Sequence, residues 1–166
     1  MNKYHLRRIE KEISEREVLL EIIKKGKFTT ISMCKENEAY LVTMSYGYDG
    51  KKNALYFHCA KEGQKIDFIK SNPNVCGTVI ENRGYEEGCG QAFRSVVFRG
   101  EMKIVESLQE KKYGFDVLLK HLEEDPKLIK HKFLKKDETY ENSGMLRLDI
   151  MYITGKEEKA ESQTTS

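Results

Sequence analysis

Residues 55–67 read Leu55-Tyr56-Phe57-His58-Cys59-Ala60-Lys61-Glu62-Gly63-Gln64-Lys65-Ile66-Asp67, and the change of rhythm inside this stretch decides the fold. An alternating strand pattern runs out at His58, a short turn carries Gly63 and Lys65, and helical spacing begins at Gln64. The start of a helix gathers backbone N–H groups that have no intrahelical acceptor, and its dipole favours negative charge. Gly63 lets the backbone approach a bulky anion. Lys61 and Lys65 add positive charge. The joint predicts a cradle for the phosphate of a phosphorylated cofactor, although the same residues also suit a plain strand–turn–helix connection.

Working outward, strand patterns recur over residues 28–34, 39–48, 75–81, 93–105 and 145–153, which with 54–59 makes six strands. Polar turns at 35–38 and 49–53 join the early ones into hairpins, and 82–91 reads as a polar loop with Gly84, Gly88 and Gly90. Gly100 marks a bulge or bend. Helical spacing appears over 15–25, with Ser14 and Glu17 as a capping box and Gly26 at its end. It appears again over 64–71, stopped by Asn72-Pro73, and over 108–123 and 126–134 around Asp125-Pro126. The strands cluster before and after a helical insertion and do not alternate regularly with helices, which excludes a doubly wound nucleotide fold. A mainly β chain of this kind hides its edges by closing, fully or in part, into an antiparallel barrel with flanking helices. One domain over 1–155 is expected, followed by a polar tail at 156–166.

The chain has 166 residues, 39% hydrophobic and 34% charged, with a formal net charge of +2. That length supports one core, and the charge is too balanced to predict a nucleic-acid partner. No apolar run reaches the ~18 residues of a membrane span, and the N-terminus lacks a signal-peptide core, so a cytoplasmic protein is expected. Cys34, Cys59, Cys76 and Cys89 form no C-x-x-C pair, which predicts free thiols and no metal site. The first three lie in strand patterns as small buried groups, and Cys89 lies in the Gly-rich loop. No P-loop, G-x-S-x-G or H-E-x-x-H pattern is present. His121 and His131, flanked by charges, are expected to face water.

Three places have chemistry to offer. Tyr56 and His58 share one face of their strand, with Leu55 and Phe57 turned to the core. His58 then sits where the strand ends, either satisfying local backbone or lining a pocket. Val42-Thr43-Met44-Ser45-Tyr46 mixes hydroxyl and apolar groups on one strand, along which a flat ring with polar edges could bond the backbone. Ser95, beside Arg94, offers a further hydroxyl.

Together these segments resemble the FMN-binding split-barrel family related to pyridoxamine 5′-phosphate oxidase, in its nitroimidazole-resistance branch. The resemblance rests on Gly26-Lys27-Phe28, residues 42–46, residues 55–65, Asn72-Pro73-Asn74-Val75-Cys76, Ser95-Val96-Val97-Phe98-Arg99-Gly100 and Ile153-Thr154-Gly155. It implies a six-stranded antiparallel split β-barrel and a homodimer with FMN between subunits. In the family the strand matched by Val42, Thr43, Met44, Ser45 and Tyr46 runs beside the isoalloxazine ring. The matched turn holds the phosphate, which points to backbone groups of Cys59 and Ala60 and to Gly63, Gln64 and Lys65. His58 falls near the flavin, and Ser95 approaches it from either subunit. Two residues depart from the family pattern: Thr43 stands where relatives often carry Pro, and Cys59 where they often carry Gly. Some members hold haem or a deazaflavin instead. The implied activity is FMN-dependent oxidoreduction, from NADH or NADPH to a small acceptor such as a nitroaromatic. A non-catalytic flavin-binding module is the alternative. Pyridoxamine-phosphate oxidation ranks third, since Arg147 is the only basic residue of the last strand placed to meet a second phosphate.

Overall fold

A computed structural model describes residues 7–86 and 90–159. Seven strands form one antiparallel sheet: β1 (Phe28–Lys35), β2 (Glu38–Ser45), β3 (Gly47–Asp49), β4 (Ala54–Cys59), β5 (Asn74–Glu86), β6 (Gly90–Ile104) and β7 (Gly144–Glu158). Among the described residues five α-helices accompany them: α1 (Arg16–Lys25), α2 (Gln64–Ser71), α3 (Leu108–Leu122), α4 (Pro126–Phe133) and α5 (Asp137–Asn142). The strand order is β2-β1-β5-β6-β7-β4-β3. The two edge strands, β2 and β3, are consecutive in the chain and separated only by Tyr46. Consecutive Cα atoms lie about 3.8 Å apart, so the sheet must curl until its edges meet at that corner. The result is a barrel that is curled but not laddered shut, a split-barrel architecture.

Alternation sets the barrel interior. Thr29, Ile31 and Met33 of β1 point inward, as do Val96, Phe98 and Met102 of β6. They join Leu55, Phe57, Leu146 and Leu148 in the main core, onto which α1 lays Leu19, Ile22 and Ile23 and α2 lays Ile66, Phe68 and Ile69. A second cluster lies outside the barrel, where α3 covers the other face of β4: Tyr56 and Ala54 pack with Phe115, Leu118 and Met145. β4 is therefore buried on both faces as far as Phe57, and only His58 opens outward.

Several expectations shift. The predicted strand 39–48 is two strands, because Tyr46 turns wholly into the core and donates its hydroxyl to the Ile23 carbonyl at 2.5 Å. Gly47 then presses on the backbone of Leu118 in α3, where an added Cβ would sit 2.7 Å from Leu118 N. The predicted loop 82–91 is largely the continuation of the β5–β6 hairpin, with Tyr85 paired to Gln91 and a register shift after Asn82. Gly88 and Cys89 lie outside the described residues. The last strand runs on to Glu158, with Lys156 paired to Ser95 and bridged to Glu12, so the segment from residue 156 begins as strand. The Ser14–Glu17 capping box does not form, since α1 starts at Arg16 after Glu15 and no side chain caps it. The Asp125-Pro126 junction does cap α4, with Asp125 Oδ1 accepting from the N–H groups of Lys127 and Leu128. The bulge read from Gly100 is present in the β6–β7 ladder. Cys34 is exposed, whereas Cys59 is buried. Among the described residues no helix is long and apolar enough to cross a membrane.

Candidate functional site

The seam of the barrel brings β2 and the end of β4 side by side. β2 is an edge strand that ladders to β1 alone, so one side of its backbone keeps unpaired N–H and C=O groups. β3 covers β4 only along Ala54, Leu55 and Tyr56. Beyond that point Phe57, His58 and Cys59 are laddered on one side, to Leu146, Met145 and Gly144 of β7. The open side of this half-strand borders the same seam as β2. α2 closes the end, with Phe68 and Tyr40 of β2 in ring contact at 5.2 Å.

At the head of α2, Gly63 has φ +118° and ψ 175°, a conformation that side chains with a Cβ rarely adopt. Its carbonyl accepts from Ile66 N at 2.9 Å and Asp67 N at 3.2 Å. Helix geometry leaves the N–H groups of Gln64 and Lys65 without an intrahelical acceptor. No side chain caps them. A Cβ built on Gly63 would meet nothing within 4 Å, so the space in front of these donors is open. The segment arrives there because Gly144 lets β7 pass close beneath, where a Cβ would lie 2.5 Å from the Ala60 carbonyl.

His58 rests its ring against Phe115 of α3, centroids 5.2 Å apart. Burial pushes its pKa below the usual histidine value, and the nearby Lys65 ammonium pushes the same way, which favours neutral imidazole at neutral pH. Burial raises the Cys59 thiol, with Lys65 and Lys111 opposing, so Cys59 stays protonated and inert as a nucleophile.

Thr43 and Ser45 project from the outer face of the sheet, and the Thr43 hydroxyl lies 3.0 Å from that of Thr30. Val42 and Met44 turn toward the core. The Tyr46 side chain is buried in the core, where its hydroxyl holds the corner through the Ile23 carbonyl. Ser95 is not brought to this seam within one chain. It lies on β6 opposite Ile80 of β5, and β5 and β1 separate β6 from β2, three strand spacings or about 14 Å. Sequence reading missed two contributors. His121, expected in water, stacks on Tyr46 at 5.0 Å and donates from Nε2 to the Gly26 carbonyl at 2.6 Å. Phe115, which flanks His58, lies on a helix whose own spacing marks it only as apolar. Arg147 is held by Glu110 Oε1 at 2.9 Å and Asp149 Oδ1 at 2.6 Å, so it is engaged inside the protein.

With this geometry in place, the sequence profile described as pyridoxamine 5′-phosphate oxidase matches residues 15–157. The chain belongs to that family. Among curated proteins, an uncharacterized protein of Rhizobium meliloti is 30% identical over 69 residues, spanning 42% of this chain and 44% of that relative. The match covers under half the relative's length. Among solved structures, a candidate 5-nitroimidazole antibiotic resistance protein of Bacteroides thetaiotaomicron is similar with a TM-score of 0.76 at 23% identity, over 94% of this chain and 95% of that one. The FAD and heme binding protein of Mycobacterium smegmatis gives 0.76 at 14% identity, over 90% and 74%. At these identities the likeness concerns the fold.

Proposed function

We propose that this chain is a flavoprotein that holds FMN along the barrel seam and works as an oxidoreductase, passing electrons from a reduced nicotinamide to a small acceptor such as a nitroaromatic. One observation carries the reading: the unladdered backbone of β2 and of Phe57–Cys59 borders a seam that ends at the open, uncapped head of α2. A flat heteroaromatic ring with polar edges is complementary to such a strip of free donors and acceptors. A phosphate is complementary to the N–H groups of Gln64 and Lys65, to the Lys65 ammonium and to the empty volume over Gly63. The residues present therefore fit the group. Bound there, FMN supplies the reversible two-electron chemistry. The protein's part is to bind and orient it, with Thr43 and Ser45 on the outer face of β2 and neutral His58 at the end of β4. His58 offers one N–H and one lone pair to whatever docks above it.

A homodimer completes the reading. Phe28, Leu41 and Ile80 are each 65% exposed on one outer face, beside Val97 and the Thr43–Thr30–Thr78 row. An apolar face of this kind suits a second copy of the chain. Across a two-fold axis Ser95 and Lys156 of the partner subunit's row become available to the seam. Arg147, tied to two carboxylates, speaks against a second phosphate site of the pyridoxamine-phosphate type.

The test is direct. FMN and FAD are titrated into the purified chain by fluorescence quenching, and NADH and NADPH oxidation is followed with and without a 5-nitroimidazole. Saturable FMN binding with acceptor-dependent turnover is expected. Binding without turnover for any donor would replace the oxidoreductase by a carrier or sensor, and absence of flavin binding would end the proposal.

A further inference from the structure

We infer that the cavity between α2 and the start of α3 is a second binding site, made for a small organic anion with an apolar body. It encloses about 430 Å³, within the ~300–1,000 Å³ usual for small-molecule sites. Ile66, Val105 and Met145 give it a buried apolar wall. Lys111 supplies the anchor. Its side chain lines the cavity yet is only 7% exposed. Its ammonium donates to two neutral acceptors, the carbonyls of Glu141 at 3.1 Å and Ser143 at 2.9 Å. An ammonium has three N–H donors, so one remains for a ligand. Among the described residues no carboxylate forms an ion pair with Lys111, and a buried charge left without a counter-charge favours an anion. Lys61 and Lys70 also line the cavity, against Glu106 and Glu141, so three ammonium groups face two carboxylates.

The site is separate from the seam. None of residues 42–46, His58 or Gly63 lines it, while Lys61, predicted to serve the phosphate cradle, also lines this cavity. The ligand class follows from the lining: a carboxylate or phosphate reaching Lys111, on a ring or short chain lying against Ile66, Val105 and Met145. The inference stands whether or not the seam holds flavin.

The experiment labels the methionine and isoleucine methyls of the whole chain with carbon-13. The Met145 and Ile66 signals are followed by NMR while benzoate, phenyl phosphate or benzyl alcohol is added, with and without FMN. The two anions should give saturable shifts, the tighter of them identifying the headgroup, while neutral benzyl alcohol gives none at equal concentration. Replacing the exposed rim by Lys61→Gln with Lys70→Gln should weaken anion binding about five-fold. Lys111→Met, read in a variant whose methyl spectrum shows the native fold, should weaken it about ten-fold or more. Equal shifts with benzyl alcohol would make the cavity merely apolar and overturn the inference. So would indifference to the rim substitutions, or loss of the shifts on adding FMN, which would make the cavity part of the seam.

Discussion

Gly63→Ala tests the cradle at the head of α2 by two separable effects. The first is conformational. At φ +118° and ψ 175° the backbone lies in a region essentially reserved for glycine, and holding a residue with a Cβ there costs about 1–3 kcal/mol. The added methyl meets no atom within 4 Å, so no collision adds to this. For a domain of this size about 1 kcal/mol moves the melting temperature by about 2–4 °C, so a mid-range strain of about 2 kcal/mol lowers it by about 4–8 °C. The second effect is on the ligand. The methyl occupies volume that is open in the glycine protein, at the turn that leads into the Gln64 and Lys65 N–H groups. Losing one charge-assisted hydrogen bond costs about 1.5–3 kcal/mol, or roughly ten- to a hundred-fold in FMN affinity. Thermal melts of the flavin-free protein read the first effect. Parallel fluorescence titrations with FMN and riboflavin read the second, since riboflavin lacks the phosphate. The substitution should narrow the preference for FMN over riboflavin. A melting temperature unchanged within a degree would refute the strain, and equal weakening of both ligands would refute the phosphate assignment.

Ile80→Glu places a charge at the centre of the exposed apolar face and should convert a dimer to a monomer while cutting FMN affinity; sedimentation that still shows a dimer would remove that face as the interface. Lowering pH should destabilise the fold early: burial holds His58 and His121 below the ordinary histidine pKa of 6.5, so beneath that value the unfolded chain binds more protons and stability falls as pH drops toward the folded values. The lowered carboxylates Glu110 and Asp149 contribute stability that is lost only further down, below their ordinary values of 4.5 and 3.8. Urea midpoints at about pH 7.5 and 5.5 should therefore differ, and less so in His121→Gln; equal midpoints would contradict both shifts. Gly100→Ala would set a Cβ 2.0 Å from the Asp149 carbonyl at the β6–β7 bulge, where backbone cannot yield cheaply, and should cost about 3 kcal/mol or more; a loss under about 1 kcal/mol by chemical denaturation would show that the bulge is soft.

Local features were legible in the sequence where local physics decides. The strand–turn–helix joint at 54–71 shows in the change of period, and the structure places β4 and α2 at the predicted bounds. The Asp125-Pro126 cap and the Gly100 bulge are likewise written in a few adjacent residues. The misses are tertiary. Nothing near residue 46 announces that alternation stops there, because what ends β2 is the Leu118 backbone leaning on Gly47 and the Ile23 carbonyl receiving Tyr46. His121 carries charged neighbours and looked solvated, yet its helix turns it onto Tyr46. The charged end of β7 gave no apolar signal, since its partners are ionic: Glu157 meets Arg83 at 2.9 Å, and Glu158 meets Lys11. The candidate site divides the same way. The 58–65 turn was readable, whereas its meeting with 42–46 depends on how the sheet curls.

That curl also accounts for why the seam stays open. A barrel closes when its two edge strands ladder together, which here would pair β2 with β3. The chain passes from one to the other through the single residue Tyr46, too short a connection for an antiparallel hairpin, which needs about two loop residues. β3 is moreover only three residues long, so it shields β4 through Tyr56 and no further. Three more residues at the start of β3 would cover Phe57–Cys59 and consume the free backbone that makes the seam a binding surface. The buried Tyr46 thus fixes the corner: its hydroxyl bond to Ile23 and the packing of His121 on its ring hold the place where edge becomes edge. The opening beside β2 is a consequence of that corner rather than of any residue that would touch a ligand.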